Sequence, residues 1–223
     1  MSASFLIRSL AIAALVAAGS AHATLVYYTD LAGFGGAATS SVVEDFELAG
    51  PKGVALASLS HNGITYTPYA GVPGHNVWVA PAGYNNFGTP TTASSVLTAN
   101  GDEDWLMSFA GTSAIGFDTY LNKYGPATIQ VFGASGSLGS FTLNQDPTTI
   151  GFWGVTSDAE AIIGVRWTTV LGGQINTGID NVRMGSLNAE GPGAVPEPSA
   201  MALFGLGIMG LCVAGRKRRA LAR

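Results

Sequence analysis

Most of the side chains in this sequence that could do chemistry are carboxylates. Between Thr24 and Ala194, thirteen acidic residues stand against four basic ones (Lys52, Lys123, Arg166 and Arg183), a net of −9 where the whole 223-residue chain carries −4. That balance argues against nucleic acid as a partner, because phosphate binding needs clustered Lys and Arg. It suits a divalent cation or a neutral polysaccharide instead. In Gly178-Ile-Asp-Asn-Val182, period-2 alternation puts Asp180 on the same face as Val182 and Met184. If that face is the core, the carboxylate needs a cation or several N–H donors to offset its desolvation. The alternative is a turn cap or a pair with Arg183. Asp102-Glu-Asp104 places three acids in a row before Trp105. Neighbouring strand side chains point to opposite faces, so these three are expected at a solvated loop tip.

Between His61 and Pro90 the chain is rich in Gly, Pro, Asn and aromatic residues. Flat rings with amide partners hold sugars by stacking and directional hydrogen bonds. Tyr66, Trp78, Tyr84 and Asn85 are therefore the candidate carbohydrate contacts. The alternative is that these rings plug the core beneath long loops, above all Trp78 within Val77-Trp-Val79. Catalytic chemistry is thinly represented. His61 and His75 have no metal-ligand spacing. Ser135 lies in Gly133-Ala-Ser-Gly-Ser137, which misses G-x-S-x-G at its last position. The only cysteine, Cys212, lies near the C-terminus, so the body holds no disulfide and no thiol nucleophile. No catalytic residue is assigned, and a non-enzyme is expected.

Short alternating apolar runs at about ten-residue spacing, separated by turn residues, must position these groups. Ile163-Gly-Val-Arg-Trp167 sets Arg166 opposite its apolar neighbours, and Thr128-Ile-Gln-Val-Phe132 does the same with Gln130. No stretch of the body keeps a helical period with caps at both ends. The expected fold is all-β, a two-sheet antiparallel jelly-roll-like sandwich over residues 24–190.

Both ends read as addresses. Arg8, the apolar stretch Leu10–Ala18 and the small residues Ala21 and Ala23 form a signal peptide over residues 1–23. That implies the Sec translocon and cleavage by signal peptidase. At the other end, a linker leads to Val195-Pro-Glu-Pro198, an apolar run over 199–215, and Arg216-Lys217-Arg218-Arg219. The prolines cannot join the following helix. The run suits a short transmembrane helix, and the cations stop it on the cytoplasmic side. Gly205-Leu-Gly-Ile-Met-Gly210 matches G-x-G-x-x-G, but it sits mid-span without a preceding strand, so a nucleotide site is rejected.

Within the tail 191–219, the stretch from Val195 to about Arg219 resembles the PEP-CTERM sorting signal, also catalogued as an ice-binding protein C-terminal domain. The resemblance implies a Gram-negative bacterium that makes exopolysaccharide and an exosortase that recognises Pro196, Glu197 and Pro198 and removes the tail. The chain would be anchored in the membrane transiently, then reach the cell surface or extracellular matrix.

Val43-Glu-Asp-Phe-Glu47, Gly151-Phe-Trp-Gly-Val-Thr-Ser-Asp158 and Gly178-Ile-Asp-Asn-Val182 resemble exported PEP-CTERM sandwich proteins. The first and last also resemble galactose-binding-like carbohydrate-binding modules. That likeness implies a structural calcium held by Glu47 and Asp180, with Asp45 as an alternate, completed by backbone carbonyls. The function expected is a non-catalytic structural or adhesive role at the cell surface or in an exopolysaccharide biofilm matrix. A carbohydrate-binding module is the alternative, and an extracellular hydrolase trails both.

Overall fold

The computed structural model describes residues 24–69, 76–87, 91–100, 103–169 and 176–188. The signal peptide, the sorting motif, the apolar span and its basic stop lie outside the described residues, as do His75 and Asp102.

The chain opens with β1 (Leu25–Tyr28) and then makes a short helix, α1 (Leu31–Ala37). A helix departs from the strand-only expectation, and its cause is local. Asp30 caps it, its carboxylate accepting the Gly33 N–H at 2.7 Å. The helix also buries Phe34 against Phe152 and Tyr28. Seven residues with three glycines have little helical preference of their own, so the cap and that one ring hold the helix.

Twelve further strands follow: β2 (Ala38–Glu44), β3 (Leu59–His61), β4 (Ile64–Pro68), β5 (Asn76–Ala80), β6 (Val96–Asn100), β7 (Asp104–Thr112), β8 (Ala114–Leu121), β9 (Ala127–Gly133), β10 (Gly136–Leu143), β11 (Gly151–Ser157), β12 (Ile162–Thr169) and β13 (Thr177–Leu187). One sheet of seven strands runs β1-β11-β8-β13-β6-β5, with β2 also paired to β13. The other, of six strands, runs β10-β9-β12-β7-β4-β3. The pairings within both sheets are antiparallel. The fold is the expected two-sheet β-sandwich.

Alternation decides what faces inward. Along β8, Ile115, Phe117 and Leu121 enter the core between the sheets, while Asp118 and Tyr120 take the opposite face. Along β12, Val165 and Trp167 are buried in the core and Arg166 points outward to Asp104. Trp105, Trp153 and Trp167 are the largest fully buried side chains. Trp105 and Trp167 are cross-strand partners with rings 5.8 Å apart and 5° from parallel.

β13 organises the outer face of the larger sheet. One edge pairs with β8, and the other is shared, with β6 at Gly178–Ile179 and β2 from Val182 to Leu187. Its ladder shifts register between Asp180 and Arg183, and Asn181 adopts a left-handed φ of 50°. That bulge corrects the simple period-2 expectation. Ile179 and Val182, three residues apart, both enter the core. Asp180 therefore lies on the opposite face from Val182, beside its cross-strand partner Asp118.

Candidate functional site

The outer face around Asp180 is built by three segments. After β2 the chain turns sharply at Phe46, whose φ of 58° is unusual for a bulky side chain. The turn is braced on every side. Buried Glu44 accepts the Phe46 N–H at 2.6 Å through Oε1 and meets His61 Nδ1 at 2.5 Å through Oε2. Lys52 Nζ donates to the Phe46 carbonyl, and the Phe46 ring packs on Tyr66 with centroids 5.5 Å apart. So held, the turn delivers Glu47 to Ser95, accepting its N–H at 2.8 Å and its hydroxyl at 3.1 Å. The preceding residue, Ser94, donates its hydroxyl to Asp180 Oδ2, and the Asn181 N–H donates to Oδ1 at 2.6 Å. Consecutive serines thus bring the two nominated carboxylates, Glu47 and Asp180, to one place.

Asp180 is 2% exposed. Burial pushes its carboxyl up from 3.8 to about 6, the two donors pull it down, and nearby Asp118 and Glu47 push it up again. Tyr120 feels the same field, raised to about 12 by burial first and by Asp180 and Asp118 after it. Arg183 offsets part of this charge, but through Asp118 at 2.9 Å rather than Asp180. Asp45 stays exposed, its Oδ1 accepting the Glu47 N–H at 3.1 Å. Among the described residues no three His, Cys, Asp or Glu side chains converge as metal ligands. A calcium here would take Glu47 and Asp180 as its carboxylates and need carbonyl, hydroxyl or water oxygens for the remainder.

The aromatic candidates separate. Tyr66 is fully buried between Phe46 and Trp105, which corrects its nomination as a sugar contact: no ligand can reach the ring. Trp78 and Tyr84 are half-buried in a second, smaller apolar cluster with Phe87, Tyr120, Val96 and Ala80. Their rings lock edge to face, Trp78 on Tyr84 at 5.2 Å and Tyr84 on Phe87 at 5.0 Å. Trp78 Nε1 donates to the Ala99 carbonyl at 3.2 Å. Phe87 lies directly over Gly178, where an added Cβ would come within 2.6 Å of the ring. The glycine therefore leaves room for the Phe87 ring to lie on the sheet.

That loop presents Asn85 to a groove of about 690 Å³, lined also by Asn86, Thr91, Lys123, Tyr124 and Thr148. The volume is within the usual range of ligand clefts. A smaller cleft shares Asn122, Lys123 and Pro147 with it and continues to Asn144 and Gln145. Tyr124 is 51% exposed, and Lys123 Nζ lies 5.4 Å from its ring centroid. Sequence reasoning missed this pair, because loop proximity leaves no periodic signal.

It also missed Glu103. The expected loop tip holds instead a fully buried carboxyl, at 0% exposure, while its neighbour Asp104 forms a bidentate pair with Arg166 at 2.8 Å. Thr177 Oγ1 donates to Glu103 Oε2 at 2.7 Å, and Oε1 has no hydrogen-bond partner. Burial drives the carboxyl up to about 8, against Thr177 and, at a distance short of a hydrogen bond, the Trp105 indole.

The comparisons with known proteins bear on the two parts of the chain separately. Residues 194–219 match the PEP-CTERM protein-sorting motif. The chain carries a PEP-CTERM sorting signal. It marks an exported protein, anchored transiently in the membrane and processed by exosortase to the cell surface. For the sandwich, similar solved structures include the K2 cleaved adhesin domain of Lys-gingipain, at 12% identity and TM-score 0.45, covering 71% of this chain and 99% of that one. A family 29 carbohydrate-binding module mutant complexed with cellulohexaose is 16% identical with TM-score 0.35, covering 67% and 94%. No curated protein sequence matches the chain significantly.

Proposed function

We propose that this chain is a non-catalytic, adhesive component of the cell surface or exopolysaccharide matrix of a Gram-negative bacterium. Its leader would pass through the Sec translocon and be cut by signal peptidase near Ala21 and Ala23. The observation that supports this reading is the sorting motif at residues 194–219, borne by a chain whose described part is a β-sandwich. Such a sandwich suits an exposed location. Three tryptophans are sealed in its core, and its acidic surface resists self-association. The test is to follow the native chain and a Pro196→Ala, Glu197→Ala double variant in an exosortase-positive host. The native protein is expected in the surface and matrix fractions without its tail, and the variant is expected to stay in the membrane. A strain lacking the chain should form weaker flocs. Mature protein that retains Arg223, or unaltered floc strength, would overturn the reading.

A structural calcium at Glu47 and Asp180 belongs to the same proposal. It is supported by the burial of Asp180 beside two like charges, which a divalent cation would neutralise. EDTA is then expected to lower the melting temperature, and added calcium to restore it.

A further inference from the structure

The four cations of the body are not equivalent. Arg166 is paired with Asp104, Arg183 with Asp118, and Lys52 is spent on the Phe46 carbonyl. Lys123 alone of the four, among the described residues, has neither a carboxylate partner nor a hydrogen bond to the chain. It is exposed, and it lies on the groove beside Tyr124. None of the described residues that line the groove is acidic, although the surrounding body carries −9; Asp146 stands just behind the lining, its carboxylate accepting the Thr148 N–H and hydroxyl. Lys123 is the charged side chain among those lining the groove, and its ammonium is open to an anion.

The remaining lining specifies the ligand further. Asn85 and Asn86 offer amides that donate and accept, Thr91 adds a hydroxyl, and Thr148, whose own hydroxyl donates to Asp146 at 2.7 Å, adds an acceptor oxygen. The loop is pinned beneath, since the Thr92 N–H donates to the Tyr84 carbonyl, the Tyr84 N–H donates to Thr92 Oγ1, and Phe87 is seated on Gly178. The amides are thus presented by a rigid support, which lowers the entropy cost of binding. Tyr124 adds a half-exposed ring. Amides, hydroxyls and an open ring suit the hydroxyl-rich faces of sugars, and the ammonium suits a carboxylate.

We propose that this groove binds a short stretch of acidic polysaccharide, with a uronate carboxylate on Lys123 and neighbouring hydroxyls on Asn85 and Thr148. The inference rests on the matrix role above and names its ligand class. It also moves the sugar contacts away from Tyr66 and Trp78, keeping only Asn85 of the residues nominated from sequence.

The test uses polygalacturonate and its methyl ester, which share a backbone and differ in the exposed carboxylate. The mature protein purified from its host is expected to bind polygalacturonate, and to bind the ester about tenfold more weakly, as loss of one charge-assisted contact implies. Lys123→Met should lose the same factor towards polygalacturonate and nothing towards the ester. Because Lys123 is exposed, its melting temperature should equal that of the native chain. Asn85→Ala should weaken binding to both polymers. Equal binding of acid and ester, or Lys123→Met without effect, would overturn the assignment of a uronate in favour of a neutral glycan. No binding to either polymer would overturn the groove as a uronate site. Floc formation and surface delivery are read separately, so either result leaves the matrix role standing or falling on its own test.

Discussion

Two buried acids, Glu103 and Asp180, lie against the same strand and are stabilised in opposite ways. Glu103 is sealed at the end of the sandwich with one hydroxyl donor and one oxygen left unpartnered. Asp180 sits on the outer face of the sheet, equally hidden from solvent, but both of its oxygens accept hydrogen bonds. The first is held up to about 8 and the second only to about 6, even though Asp118 and Glu47 repel the second. Burial is the leading cause in both, and it acts more strongly on Glu103, which is enclosed on all sides, than on Asp180 at the outer face of the sheet. Glu103 is a neutral acid at pH 7, a dry structural group. Asp180 is largely an anion there, and its surroundings would be completed by a cation.

The largest effect should come from Glu103. Its carboxyl is near 4.5 in the unfolded chain and about 8 in the fold, so unfolding releases a proton throughout that window. Stability contributed by the neutral acid is full below pH 4.5 and is lost as pH rises towards 8, by about 3–5 kcal/mol. Glu103→Gln should remove most of that slope, as read from urea unfolding at pH 4, 7 and 9. An unchanged slope would mean that Glu103 is solvated after all. Asp180→Asn should remove a smaller step between pH 3.8 and about 6, of about 2–3 kcal/mol. With calcium present the comparison sharpens, because the metal should stabilise the native chain and leave Asp180→Asn unmoved.

The donors come next. Thr177→Val should cost about 1–2 kcal/mol, and more at pH 9 than at pH 5, because it strips the ionised carboxylate of its side-chain donor. A cost independent of pH would assign Thr177 to packing alone. Ser94→Ala should cost about 1 kcal/mol at pH 7 and move the Asp180 titration upward, since its remaining donor is then the Asn181 N–H. Carboxyl chemical shifts followed against pH would read that movement directly.

The strands were legible wherever one face met the core and the other met solvent. Arg166 between Val165 and Trp167, and Gln130 between Ile129 and Val131, lie as their alternation implies. The same rule failed at Asp180, because a bulge adds a residue that no composition signal announces. It failed again at Asp102-Glu-Asp104, where adjacency suggested a solvated tip. Thr177, seventy-four residues away, instead makes burial of Glu103 tolerable. Asp30 before α1 is a cap signal in the sequence, but the helix it opens is too short to show a period. Of the candidate sugar contacts, Asn85 reaches a groove and Tyr66 is shut in the core, a distinction set by tertiary packing.

By itself the sequence determined the destination and the class of fold. A sorting signal is read as a linear string, and a strand period of two is a local property of the backbone. Only the tertiary structure decided the chemistry. Serines 94 and 95 join Glu47 to Asp180, Lys123 lines a groove without an ion-pair partner among the described residues, and Glu103 is shut away from water. Each is a meeting of segments far apart in the chain, and desolvation and charge act through those distances in space, which residue order does not contain.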